Sequence, residues 1–185
     1  MDDREVKAAT RRCRECVACC AELSVDELNK PAGRECEHCT ARGCSIYAAR
    51  PGSCRTFRCA WLQGLFADKD RPDRIGVIFA AQETAVGQVL VAFELWLGAS
   101  LEERPARYIA NARRGAIPVV IFHHGTGKRS IIADHLQREQ VDELIANVRS
   151  ARGHEVTRMR TTVRPLDGAA TDPIRVRRGP AKGGQ

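Results

Sequence analysis

All nine cysteines of this 185-residue chain lie between Cys13 and Cys59, and no other feature restricts its fold as strongly. They form two blocks, Cys13-x2-Cys16-x2-Cys19-Cys20 and Cys36-x2-Cys39-x4-Cys44-x9-Cys54-x4-Cys59. Each block contains a C-x2-C step, the spacing with which one turn aims two sulfurs at a single ion. The start, MDDREVKAATRR, has no apolar core behind its charges, and no stretch approaches the roughly 20 apolar residues of a membrane span. These features predict a cytoplasmic chain without membrane contact, where thiols stay reduced and dense cysteines bind metal or catalyse more often than they pair. An odd count also fits disulfides poorly. Soft thiolates suit zinc or an iron–sulfur cluster, and all nine cysteines (Cys13, Cys16, Cys19, Cys20, Cys36, Cys39, Cys44, Cys54 and Cys59) are candidate ligands.

Adjacent side chains diverge, so Cys19 and Cys20 are expected to serve different metal atoms. Eight thiolates would build two four-sulfur sites or one larger cluster, with the ninth thiol spare. Such a centre is strongly negative, and Arg11, Arg12, Arg14, Arg34, Arg42, Arg50, Arg55 and Arg58 crowd the same segment, which gives them a local electrostatic role.

The run Cys13 to Cys20 reads CxxCxxCC, and Cys44-Ser-Ile-Tyr47-Ala-Ala-Arg50-Pro51-Gly-Ser-Cys54-Arg55-Thr-Phe57-Arg-Cys59 reads CxIYxxRPxxCRxFxC. Together they resemble the zinc- or iron-chelating CxxCxxCC (YkgJ-like) cysteine-cluster family over residues 13 to 62. The resemblance implies a metal-chelating domain of unassigned biochemical role. A distant likeness to cysteine-cluster flagellin lysine methylases points toward iron–sulfur. It also implies Cys13, Cys16, Cys19, Cys20, Cys44, Cys54 and Cys59 as ligands, with Cys36 or Cys39, which flank His38, completing the set. Within the motif, Pro51 is expected to turn the chain back toward the cluster, and Tyr47 and Phe57 to form a small apolar lid. Arg50 and Arg55 are the candidates to donate to cluster sulfur or to an anionic ligand.

Residues 1 to 20 lack Gly and Pro, which predicts a helix running into the first cysteines. Ser24 and Glu27 match a capping box for a short helix over Val25 to Asn29, ended by Pro31 and Gly33. Ile75 to Ala81 and Gln88 to Leu97 read as a hairpin, Ile117 to His123 as a third strand and Arg129 to Ala133 as a fourth, with a turn at Gly125 to Gly127. A helix is predicted over Glu102 to Arg114, capped by Ser100 and stopped at Gly115, and another over Gln140 to Val148. The expected fold class is α+β: a Cys-rich metal-binding module (1–62) packed on a small antiparallel sheet with two helices (63–151), then a basic tail (152–185).

That tail holds eight bases against three acids and so most of the chain's formal charge of +7. It allows a sequence-independent grip on nucleic acid, although solvated tails of this kind are common. Elsewhere the sequence offers little chemistry. His123 and His124 end a strand and are expected to face solvent, and Gly125-Thr-Gly-Lys128-Arg-Ser130 misses the phosphate-loop register. Trp61, Phe66 and Trp96 read as core. No Ser, His and acid pattern suggests a hydrolase, and no Gly-rich strand-to-helix turn suggests an adenosylmethionine pocket. Three readings follow: a cysteine-cluster metal chelator holding more than one metal atom, a cluster-dependent protein-modifying enzyme or accessory that meets a protein partner, and a zinc-stabilised nucleic-acid binder.

Overall fold

The computed structural model describes residues 11–13 and 15–147. The basic tail from Arg152 and residues 1–10 of the expected first helix lie outside the described residues, and the described part of that expected helix is helical only from Ala18. Short helices α1 (Ala18–Glu22) and α2 (Gly52–Thr56) flank a two-stranded antiparallel sheet of β1 (Cys39–Thr40) and β2 (Gly43–Cys44). Then follow α3 (Pro72–Ile75), the hairpin β3 (Val77–Thr84) and β4 (Gly87–Glu94), α4 (Glu103–Arg114), β5 (Val119–Phe122), β6 (Arg129–Ile132) and α5 (Arg138–Asn147).

The class is α+β, as the sequence predicts, but the main sheet is mixed rather than antiparallel. Its order is β3-β4-β5-β6, antiparallel at β3–β4 and β5–β6 and parallel at β4–β5, where Leu90 to Phe93 lie beside Val119 to Phe122. The reason is α4. It carries the chain from the end of β4 back to the start of β5, so β5 must run in the direction of β4. All four residues of β5 are buried, as expected of an inner strand covered on both faces.

Strand alternation sends Ile78, Val89, Val91, Phe93, Val120 and Phe122 to one face, where they pack with Ala18, Leu23 and Cys59 of the cysteine segment and with Leu144 of α5. Val77, Phe79, Ala92, Val119 and Ile121 take the other face, beneath Ile109 and Ala112 of α4 and beside Ile75 of α3. The result is three layers: thiol-bearing loops and α5, then the sheet, then α3 and α4. Phe66 stacks on Tyr108 at 3.7 Å between ring centres and meets the edge of Phe79 at 5.1 Å, tying the end of the cysteine segment to α4.

Two expected caps are used differently. Ser100 does not cap α4, which starts after Glu102 without a side-chain cap; its hydroxyl and N–H both go to Glu94. The capping-box region shrinks to a 3-10 turn over Asp26–Leu28 that ends at Asn29 in the left-handed region, before Pro31 and Gly33. Glu27 reaches instead across 26 residues to the first turn of α2, accepting the Ser53 N–H at 2.9 Å and hydroxyl at 2.7 Å, where it satisfies an otherwise orphaned amide. Among the described residues no helix is long and apolar enough to cross a membrane.

Candidate metal centre

The chain carries the nine thiols on five local devices. Cys13 and Cys16 sit on a turn closed by the Cys16 N–H to the Cys13 carbonyl at 3.1 Å, and α1 then carries Cys19 and Cys20. Another turn joins Cys36 and Cys39 (Cys39 N–H to Cys36 O, 2.9 Å), and the Cys36 N–H ties this loop to the Cys20 carbonyl at 3.0 Å. The β1–β2 ladder sets Cys39 directly opposite Cys44. In such a pair the two Cβ atoms stand about 5 Å apart on one face. Finally α2 bears Cys54, and Cys59 follows it into the core, only 7% exposed. All nine are free thiols.

The charge environment divides these thiols into two sets. Burial pushes the Cys19 thiol well above its ordinary value, and negative charge on Cys59, Cys16, Cys13 and, last, Cys20 would push it further. Burial likewise raises Cys20 to about 12, but its neighbours are Cys39, Cys44, Cys36 and Cys54. The two residues are adjacent in sequence and face different company. The same division holds from the other side. Cys16 is raised to about 12, chiefly by burial, with Cys59 among its neighbours, and Cys59 is raised by burial and then by Cys13. Cys54 is raised by burial and then by Cys36 and Cys44. One set is therefore Cys13, Cys16, Cys19 and Cys59; the other is Cys20, Cys36, Cys39, Cys44 and Cys54.

Backbone amides aim at two sulfurs of the first set. The Leu62 N–H stands 3.4 Å from Cys59 Sγ, and N–H bonds favour the charged form of Cys16 (from Ala18) and of Cys59 (from Leu62 and Trp61). Amide donors of this kind stabilise thiolate once a metal has displaced the proton. Among the described residues, no three or more His, Cys, Asp or Glu side chains stand in a ready-made metal-binding group.

The arginines of the cysteine segment take several different partners. Arg11 is buried but turns to Asp68 and to the Trp61 and Phe66 carbonyls, and Arg58 reaches the Leu62 carbonyl. Arg14 lies outside the described residues. Arg55 is exposed near Glu27. Arg50 stacks 4.0 Å above the Tyr47 ring and donates to the Tyr47 carbonyl at 2.7 Å, while its Nε is buried with no partner among the described residues. Of the expected apolar lid, Phe57 packs against the core beside Cys16 and Cys19, whereas Tyr47 pairs with Arg50.

The cation the sequence did not single out is Lys30. It is 7% exposed, its ammonium bonds the Leu23 and Pro31 carbonyls, and it lies among Cys36, Cys20, Cys54 and Cys19. Burial lowers its pKa and nearby thiolates would restore it. Nothing in the sequence around Lys30 separates it from a solvated lysine. His38 pairs with Glu37 at 3.5 Å.

The two strand-end histidines are not simply solvent-facing. His124 Nδ1 stands 3.0 Å from the buried Glu22, binding the end of the main sheet to α1. His123 lies between Glu94 and Ser130, a serine, histidine and acid arrangement the sequence conceals because its members sit on, or just after, three separate strands. Comparison of the chain with protein-family models, with curated proteins and with solved structures finds no match to any of them.

Proposed function

We propose that this chain is a metal-chelating cysteine-cluster protein with two adjacent centres, one on Cys13, Cys16, Cys19 and Cys59 and the other on four of Cys20, Cys36, Cys39, Cys44 and Cys54. The observation that carries this reading is geometric: Cys16 and Cys19 pack against the core cluster that contains Cys59, whereas the Cys20 carbonyl takes the Cys36 N–H and Cys39 stands opposite Cys44. Four soft sulfurs match one tetrahedral zinc or one four-cysteine iron–sulfur cluster. The five-thiol set leaves one sulfur over, in keeping with a spare ninth cysteine. The likeness of Cys13–Cys20 and Cys44–Cys59 to the CxxCxxCC family supports the same chemistry and rests on those motifs.

The protein's own contribution is orientation and charge. Turns and α1 present the sulfurs, amides of Ala18, Trp61 and Leu62 favour thiolate, and Lys30 offsets negative charge at the second set. Burial keeps the metal-free thiols protonated, so loading must release protons, and affinity rises with pH.

The test is metal analysis with an absorbance spectrum on anaerobically purified protein, for the native chain and for Cys19→Ser and Cys20→Ser. Each substitution should remove the metal of one centre and leave the other. A native chain without bound zinc or iron, or two variants that lose the same metal, would overturn the assignment. Visible absorbance identifies iron–sulfur and favours a redox or protein-modifying role; a colourless protein with stoichiometric zinc favours a structural chelator.

A further inference from the structure

On the sheet face opposite the thiols, three polar side chains from adjacent strands stand in line. Glu94 ends β4, His123 follows β5, and Ser130 lies on β6, in register with Ile121. Glu94 Oε1 accepts the Ser100 hydroxyl at 2.5 Å and its N–H at 3.1 Å; Oε2 accepts the Gly98 N–H at 3.2 Å and faces His123 Nδ1 at 3.2 Å. On the far side of the imidazole, Nε2 is 2.8 Å from Ser130 Oγ. Burial works to raise the Glu94 carboxyl, but the bonds from Ser100, Gly98 and His123 hold it below the usual carboxylate range. An ionised carboxylate only accepts, so Nδ1 is the donor to Glu94, and in the neutral imidazole Nε2 is then the acceptor that meets the serine hydroxyl.

The geometry points to a second chemical site, in which Ser130 is a nucleophile toward carboxylic esters, His123 its general base and Glu94 the residue that positions the histidine. Such a site is identified by geometry and roles rather than by order along the chain. Burial is graded along the line, from Glu94 with no exposed side-chain surface, through His123 at 24%, to an exposed Ser130. The reactive hydroxyl therefore faces solvent while the charge behind it is sealed. The register supplies a donor as well. The His123 N–H to the Lys128 carbonyl makes 123 and 128 a bonded pair, so Arg129, one residue before Ser130, turns its N–H to the open side of β6, the outer strand among the described residues.

In the first step the Ser130 Oγ–acyl bond forms as the hydroxyl proton passes to Nε2. The bond to the leaving alkoxide breaks, and the alcohol departs with that proton. Water then attacks the acyl carbon and gives its proton to Nε2; the Oγ–acyl bond breaks, Ser130 recovers its proton and the carboxylic acid leaves. The sum is ester plus water to acid plus alcohol.

The experiment uses a serine-selective alkyl fluorophosphonate on the full-length chain, read by peptide mapping, because p-nitrophenyl esters would also acylate the nine thiols. With this probe the Oγ–P bond forms and fluoride leaves. One adduct per chain is expected on Ser130. It should be absent in Ser130→Ala and slowed about a hundredfold or more in His123→Gln, the usual worth of a general base, with the circular dichroism of both variants unchanged. No adduct on Ser130 in the folded native chain, or labelling at an equal rate in His123→Gln, would overturn the assignment and leave the three side chains as a structural link.

Discussion

At the residue scale, partners decide what a polar side chain contributes. Cys19 and Cys20 differ by one position, yet burial and neighbours place them in separate thiol sets. The divergence of adjacent side chains is legible in sequence; which distant sulfurs each one meets is not. Glu94 shows the same dependence. Within the sequence it is one polar residue in an apolar strand, and in the fold it is a fully buried carboxylate held by Ser100, Gly98 and His123. Because its folded pKa lies below the unfolded value near 4.5, its contribution to stability is present above that pH and is lost as the pH falls through the folded value. Urea midpoints of the native chain should therefore decline on acidification below about pH 4.5, and Glu94→Gln should shallow that decline while lowering stability at pH 7. The neutral amide donates toward groups that are themselves donors, at a cost of about 1–3 kcal/mol. An unchanged acid limb in the variant would show that Glu94 is not held by charge.

At the element scale, strands and helices follow hydrophobic period, while their ends follow tertiary demand. The hairpin, α4, α5 and the turn at Gly125 to Gly127 lie near where apolar spacing and turn residues place them. The two misread caps have one cause: Ser100 and Glu27 find better partners far from their own helix ends, in the buried Glu94 carboxylate and in the first turn of α2. Gly76 is an element boundary whose residue type is set by backbone and space together. It ends α3 at φ +74°, and a Cβ there would stand 2.3 Å from Cζ2 of Trp96. Gly76→Ala should cost about 1–2 kcal/mol for the left-handed backbone, with the half-exposed indole swinging outward to relieve the contact. Thermal unfolding should register the loss, and a red-shifted Trp96 emission should register the movement, measured in a Trp61→Phe background. An unshifted spectrum with full stability would mean that the chain adapts without strain.

At the scale of the whole molecule, the cysteine segment is one outer layer of a shared core, since Ala18, Leu23 and Cys59 pack with both sheet residues and Leu144. Leu144 is fully buried, and Leu144→Ala should destabilise the chain by about 2–5 kcal/mol. On the proposed two-centre reading it should also weaken metal retention through that common core, measured as faster loss of metal to a chelator. A loss of stability with unchanged metal release would show the layers to be uncoupled. Sequence by itself determined the local facts: a thiol-rich segment with C-x2-C steps, two thiols that cannot face the same way, strands of β-branched residues and amphipathic helices. These are legible because spacing and side-chain chemistry act within a few residues. Tertiary structure alone decided that β5 runs parallel to β4, because the path of α4 fixes that direction. It also decided that Lys30 rather than Arg11 stands among the thiols, and that Glu94, His123 and Ser130 meet. Each of these depends on contacts between residues far apart in the chain, which close only when the layers pack.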